Sequence, residues 1–291
     1  MKQKDAFSSY HPALLFFYYA LVMVLAMFLT HPACLGVTLL GAAVYCVHLQ
    51  GWRACGKRFG WMLPVMLLAA GVNVLFNHEG ATILTYFSSG NPLTLEAITY
   101  GLSAGAMIAA VLLWFSSYRL VMTSDKFVYL FGRVIPALSL VLSMTLRFVP
   151  KFQAQLRAVQ QARQYMGEPE TDGFRQKIRR SIANFSILVT WSLENAVETA
   201  DSMRARGYGL PGRTAFSIYR FEGRDWRMLA FLLVCGGTVI AGWAAGALAW
   251  RYYPTMQGSF TGWSAVCAAA ELLLVLTPMA VDVWEERKWS S

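Results

Sequence analysis

The sequence predicts an all-α, polytopic membrane protein: about six transmembrane helices, with a cytoplasmic domain of long amphipathic helices between the fourth and fifth. Three observations carry this. Of 291 residues, 56% are hydrophobic and only 14% charged, whereas a soluble domain carries about a quarter charged residues. Six apolar stretches approach the ~20 residues needed to cross the hydrocarbon core. The net charge of +9 is also confined: residues 119–227 hold 17 of the 25 Lys and Arg and 9 of the 16 Asp and Glu, a balance of +8.

The spans fall at about 12–30, 33–50, 61–77, 97–118, 228–250 and 263–284. The first follows Met1-Lys-Gln-Lys and reads as an uncleaved span, because the apolar run is long and no small-residue cleavage site follows it. The third is short and holds Pro64, Asn73 and Asn77, which suggests a kinked or re-entrant element. Trp61, Trp114, Trp226, Trp250, Trp263 and Trp284 lie near predicted span ends, where amphipathic rings favour the interface. Gly101-xxx-Gly105 and Gly242-xxx-Gly246 are candidate close-approach motifs between helices.

Loop charges orient these spans. Lys2 and Lys4 precede the first, and Arg53, Lys57 and Arg58 follow the second. No Lys or Arg occurs from Phe59 to Tyr118; Arg119 opens the basic segment, and Arg287 and Lys288 follow the sixth span. Excess cations face the cytoplasm, so both termini, the 51–60 loop and residues 119–227 are predicted there, with Arg251 the one exception. The domains are then 1–118 (spans one to four), 119–227 (cytoplasmic) and 228–291 (spans five and six and the C-terminus).

Within 119–227 the apolar residues follow helical spacing. One series runs Phe148, Phe152, Leu156, Val159, Ala162 and Met166; a second runs Ile178, Ile182, Phe185, Val189, Leu193, Ala196, Ala200 and Met203. Both describe one face of an α-helix. Gly167-Glu-Pro-Glu-Thr-Asp-Gly173 separates them, and Gly207, Gly209, Pro211 and Gly212 stop the second. Pro136–Leu146 is very apolar and reads as a further helix against the membrane. Each long helix ends in a basic tip: Ala162-Arg163-Gln164 on the first and Arg204-Ala205-Arg206-Gly207-Tyr208 on the second. The chemistry of such a tip admits three readings: a helix C-terminus capped by cations, an Arg fork that docks on carboxylates of a partner protein, and binding to anionic lipid headgroups. Glu194, Glu198 and Asp201 form an acidic stripe on the second helix, read either as a solvated face or as a partner for Arg157 of the first.

Other chemistries find little support. The phosphate-cradling Gly-rich loop, the nucleophile elbow and the zincin motif are absent from the sequence, so no catalytic residue and no ATP hydrolysis is assigned to this chain. His11, His31, His48 and His78 lie near span ends without metal-ligand spacing, and Cys34, Cys46, Cys55, Cys235 and Cys267 form no CxxC pair; no metal site and no cofactor is assigned. A basic block bracketed by apolar spans argues for lipid or an acidic protein rather than nucleic acid. Glu271, alone within the sixth span, is the candidate for a relay or an interhelical bond.

The runs Thr123-Ser-Asp-Lys-Phe-Val-Tyr-Leu130, Ile135-Pro-Ala-Leu-Ser-Leu-Val-Leu-Ser-Met-Thr-Leu-Arg-Phe-Val-Pro150, Gln161-Ala-Arg163 and Ala200-Asp-Ser-Met-Arg-Ala-Arg-Gly-Tyr-Gly209 resemble the transmembrane T component of energy-coupling factor (ECF) type ABC transporters. The resemblance covers the topology and most of residues 120–210. Two positions depart from the family pattern: Gln164 stands where the first tip usually has Gly, and His11-Pro12-Ala13-Leu14-Leu15 lacks the Lys that follows Pro in relatives. The resemblance implies an energy-coupling subunit, itself non-catalytic, in the cell membrane of a prokaryote. It would join two ABC-type ATPase subunits, which use the ATP, to a small membrane S component for vitamin or transition-metal-ion uptake. Ala162, Arg163, Gln164, Arg204, Ala205, Arg206, Gly207 and Tyr208 would dock the ATPases. Arg147, Pro150, Glu194, Glu198 and Asp201 would support the coupling helices. The alternative is a self-sufficient permease or carrier with its own substrate path, which predicts repeats and midplane polarity.

Overall fold

A computed structural model describes residues 6–86, 91–132, 135–167, 173–211, 219–258 and 260–290. Among the described residues the architecture is all-α apart from one short hairpin. It divides into two compact units, residues 1–123 with 219–291, and residues 124–218.

The first unit holds six apolar helices: α1 (Pro12–Phe28), α2 (Pro32–Gln50), α3 (Trp52–Phe76), α4 (Leu95–Val121), and the two helices near the C-terminus, Gly223–Ala244 and Gly262–Ser290. The last five are long and apolar enough to cross a membrane; α1 has 17 residues, about 26 Å at the α-helical rise. It is nonetheless central. Its Leu14, Leu15, Tyr18, Tyr19 and Val22 are buried, and Tyr18 and Tyr19 meet Trp114 edge-on. Trp114 is 0% exposed, which corrects its reading as an interfacial residue: α4 runs to Val121, so Trp114 sits two turns inside the helix and faces the core.

The basic stretch 51–60 is likewise not a loop. It forms the first turns of α3, a 25-residue helix that continues through Pro64. Cations are disfavoured at a helix N-terminus; here packing prevails, since Cys55 is buried and donates to the Ala43 carbonyl of α2, while Arg53 and Lys57 stay exposed. Against α4, α3 approaches very closely. A Cβ on Gly101 would lie 2.9 Å from Ala70 Cα, and one on Gly105 2.9 Å from the Met66 carbonyl oxygen, so this small-residue motif is a helix contact. The second motif is half realised. A Cβ on Gly242 would collide with Cys267 Sγ, but Gly246 lies beyond the helix end. That helix also begins at Gly223, five residues before the predicted span, where Glu222 and Asp225 form a reciprocal capping box that satisfies two orphan donors.

Polar residues gather at the two ends of this unit. At one end, a 3-10 turn (Phe7–Ser9) is tied down by Phe7 N–H donating to Asp282 Oδ1 (3.0 Å). His48 Nε2 lies 3.2 Å from Asp282 Oδ2, His11 N–H donates to Asp225 (3.2 Å), and Arg224 pairs with Glu285 (3.5 Å) over the Tyr10 ring. The other end carries the hairpin of β1 (Ile83–Tyr86) and β2 (Pro92–Thr94). There Tyr252 Oη donates to the Thr30 carbonyl and Tyr253 Oη to Asn73 Oδ1, both at 3.0 Å. Between the ends, Thr38 of α2 is hydrogen-bonded to Glu271 Oε1 of the last helix. Of the two roles open to Glu271, the interhelical bond is the one this geometry makes.

The second unit comprises α5 (Ser124–Gly132), α6 (Pro136–Tyr165) and α7 (Phe174–Ala205). The separate helix expected over Pro136–Leu146 is the N-terminal half of α6, which continues through Pro150. An interior Pro removes one backbone hydrogen bond, and here the solvent-exposed side of α6 carries it. Of the expected break between the arms, residues 168–172 lie outside the described residues, as does Gly212 of the second stop signal. In chain order the helices near the C-terminus are α8 (Gly223–Ala244) and α9 (Gly262–Ser290).

Candidate functional site

The site is built on α6 and α7, antiparallel helices of 30 and 32 residues. Side-chain contacts among the described residues set their register. Phe152 meets Trp191 edge-on at 5.5 Å between centroids, worth about 0.5–1.5 kcal/mol beyond buried area. Lys151 donates to Asn195 Oδ1 (3.2 Å) and lies over the Trp191 ring. Arg163 Nη1 donates to Asn184 Oδ1 at 2.7 Å. The acidic stripe plays no part in this: Glu194, Glu198 and Asp201 are exposed and, among the described residues, make no ion pair. Arg157, their expected partner, is exposed as well.

The apolar face of α6 is partly covered, with Phe148, Phe152, Leu156 and Val159 half-buried. That of α7 is not. Ile182, Phe185 and Leu193 are 64%, 67% and 64% exposed, and Ile178 and Val189 lie on the same open stripe. The residues of α7 that turn inward are displaced from it by about one position: Ala183, Asn184, Leu188, Trp191, Asn195 and Thr199. An apolar helical stripe rimmed by polar residues and left open in the isolated chain marks an interaction surface.

The second tip is the more exposed of the two. Arg204, Ala205 and Arg206 are all exposed, and Tyr208 is 46% exposed. Tyr208 N–H donates to the Met203 carbonyl and Gly207 N–H to the Arg204 carbonyl, both at 3.0 Å. These are the two bonds of a Schellman cap. The cap requires the left-handed conformation that Gly207 adopts (φ +81°). It gives the Met203 and Arg204 carbonyls backbone partners, so these two bonds use neither arginine side chain.

The first tip is built differently. Helix α6 runs past Ala162-Arg163-Gln164 to Tyr165 and turns at Gly167 (φ +79°), whose N–H donates to the Gln164 carbonyl (3.1 Å). The glycine missing at position 164 is thus supplied three residues later. Arg163 is half-buried, whereas Ala162 and Gln164 are exposed. It lines a cleft of about 460 Å³ between the two helices, together with Gln160, Gln164, Lys177, Arg180 and Asn184. Sequence reasoning missed Lys177, Arg180 and Asn184, although their i, i+3, i+7 spacing places them on one helix face. Arg147 and Pro150 are exposed on α6, away from either tip.

Among the described residues no group of three or more His, Cys, Asp and Glu is placed to hold a metal ion. His11 caps α1 by accepting from Ala13 N–H, His31 is buried against Trp250 and Phe260, and His78 lies 2.9 Å from Asn91.

No protein-family model matches the chain. Curated relatives do. The chain is 29% identical over 193 residues to the energy-coupling factor transporter transmembrane protein EcfT of Listeria innocua, covering 61% of this chain and 69% of that protein. It is 30% and 32% identical over 108 residues to proteins of the same name from Lactobacillus helveticus and Lacticaseibacillus paracasei. Those stretches cover 36% of this chain and 39% and 41% of the two relatives. The chain is thus an all-α membrane protein similar, over part of its length, to the EcfT transmembrane proteins of energy-coupling factor transporters.

Proposed function

We propose that this chain is the energy-coupling transmembrane subunit of an ECF-type importer, linking two cytoplasmic ABC-type ATPases to a small membrane S component for vitamin or transition-metal-ion uptake. The observation that carries this reading is the second tip. A 32-residue helix ends in two exposed arginines whose side chains take no part in its two backbone cap bonds. Arginines not used in those bonds, at the end of a stiff lever, suit an acidic groove on a partner. Truncating one side of a desolvated charge pair costs about 2–5 kcal/mol, enough for two such points to govern assembly.

In this reading Arg206, flanked by Arg204, Ala205, Gly207 and Tyr208, docks one ATPase, and Arg163, flanked by Ala162 and Gln164, docks the other. The open stripe of α7 gives a further partner an apolar surface, which suits the membrane S component. The chain itself is non-catalytic and binds no cofactor; ATP is used by the partners. Both termini face the cytoplasm, on the bias of loop charges, in a multi-pass protein of the prokaryotic cell membrane.

The test is co-purification from membranes. The chain should bring down two nucleotide-binding subunits and a small membrane protein, and Arg206→Glu should insert normally yet lose the ATPases and uptake. Uptake by the chain alone would support the rival reading, a self-sufficient carrier. Normal uptake with Arg206→Glu would end the docking reading.

A further inference from the structure

The hairpin of β1 and β2 carries apolar surface that no other part of the first unit covers. Every residue of β1 is exposed, with Leu84 at 54% and Tyr86 at 64%. This exposure is not that of a loose segment. Leu95 N–H donates to the Thr82 carbonyl and Ala81 N–H to the Pro254 carbonyl, both at 3.0 Å, and Thr82 Oγ1 donates to Glu96 (2.8 Å). The ribbon is thus bonded at its base to the first turn of α4 and to the connection between α8 and α9. In water a short, open, apolar strand is a site for unwanted pairing.

Depth decides what covers it. β2 ends at Thr94 and α4 begins at Leu95, so no spacer lifts the ribbon away from the span. Helix α4 has 27 residues, a length of about 40 Å at the helical rise. The hydrocarbon core is about 30 Å thick, and about 40–45 Å with its headgroups, so the ends of α4 reach the headgroup layer. Tyrosines favour that depth, and the Tyr100 ring packs here against Tyr252 and Tyr253 at 5.6 and 5.2 Å. The outer edges of a two-stranded ribbon carry unpaired N–H and C=O groups, which hydrocarbon excludes and hydrated headgroups satisfy. No Lys or Arg occurs from Phe59 to Tyr118, so attraction to anionic lipid is not what would hold the ribbon there.

We propose that β1 lies in the boundary between headgroups and acyl chains, with Leu84 and Tyr86 as its apolar anchors. Its partner is the bilayer surface, continuous with the lipid that surrounds α3 and α4. The proposal rests on the membrane architecture and is independent of ATPase docking.

The experiment uses the full-length chain in nanodiscs, with a nitroxide label at Leu84→Cys or Tyr86→Cys. The five native cysteines are buried, and the unsubstituted chain measures their background labelling. Power saturation compares collisions with oxygen, which partitions into lipid, and with a water-soluble nickel chelate. Leu68→Cys, within α3, and Glu198→Cys, on the charged face of α7, calibrate lipid and water. Both ribbon labels should favour oxygen over the chelate, less strongly than the label at 68, and equally in zwitterionic and anionic nanodiscs. Helical content and Tm are measured for each variant, and Ile83→Cys replaces a variant that fails to fold. Ribbon labels that read like the one at 198 overturn the proposal, because β1 then stands in water. Protection from both reagents overturns it as well, since a second copy of the chain then covers the strand. So does an oxygen preference confined to anionic lipid, which makes the attachment electrostatic. None of these results changes ATPase binding, so the docking reading is tested separately.

Discussion

The two arginine tips use the same residue in opposite ways. Arg206 is itself the C-cap of α7, exposed, with the bend at the very next residue. Arg163 lies in the last turn of α6, half-buried, bonded to Asn184, with the bend at Gly167. A fork already held by a hydrogen bond loses less rotamer freedom on binding but offers fewer donors to a partner; an exposed fork offers all its donors and must be ordered when it binds. The position of one glycine sets the difference. At 207 it stops the helix at the arginine; at 167 rather than 164 it lets α6 continue, which carries Arg163 alongside α7.

This contrast can be broken or sharpened by substitution. The largest effect is expected from Arg206→Glu, which places a carboxylate where a partner's acidic groups are expected. ATPase affinity should fall by about 100-fold or more, read by binding to the nanodisc-embedded chain; a loss no greater than that of Arg163→Glu would erase the asymmetry. Next is Gly207→Val. A β-branched residue in the left-handed region costs about 1–2 kcal/mol, so affinity should drop about tenfold while Gly207→Asn, which tolerates that conformation, stays close to wild type. Equal effects of Val and Asn would show that the bend does not position Arg206. Arg163→Ala should be milder than the corresponding change at 206. A double-mutant cycle with Asn184→Ala should give a coupling near 1 kcal/mol, and additive effects would mean that the Arg163–Asn184 bond does not prepare the tip. The smallest change is expected from Trp191→Ala, which removes the ring contacts with Phe152 and Lys151. It should lower the resistance of the helix pair to limited proteolysis by about 1 kcal/mol of opening free energy and affect both tips alike.

The two helices also differ in how much of them was legible. For α6 the apolar series was right in period and, as far as Val159, in face: Phe148, Phe152, Leu156 and Val159 are half-buried, while Ala162 and Met166 are exposed. For α7 the same reasoning found the helix, Phe174–Ala205 against a series from Ile178 to Met203, but the stripe it marked is largely open. Periodicity identifies the face that avoids water, not the element that covers it. Within the chain, α6 takes the neighbouring face of α7, where Trp191 and two asparagines offer an aromatic contact and hydrogen bonds. The cleft cations were hidden for a related reason: nothing in the local spacing of Lys177 and Arg180 shows that the antiparallel pairing sets them beside Arg163.

By itself the sequence determined the membrane class, the apolar helices within a few residues at most ends, the stops of both arginine-tipped helices and the extent of the second. These follow from local quantities: hydropathy over a span, apolar period, and glycine where the backbone needs a positive φ. Tertiary structure decided the rest. It turned 51–60 into helix against its charge, buried Trp114 among Tyr18, Tyr19 and Tyr45, and left Glu194, Glu198 and Asp201 without ion pairs among the described residues. It also chose which face of α7 meets α6. Each of these depends on which surfaces distant segments present to one another, and that energy is written in no single stretch of the chain.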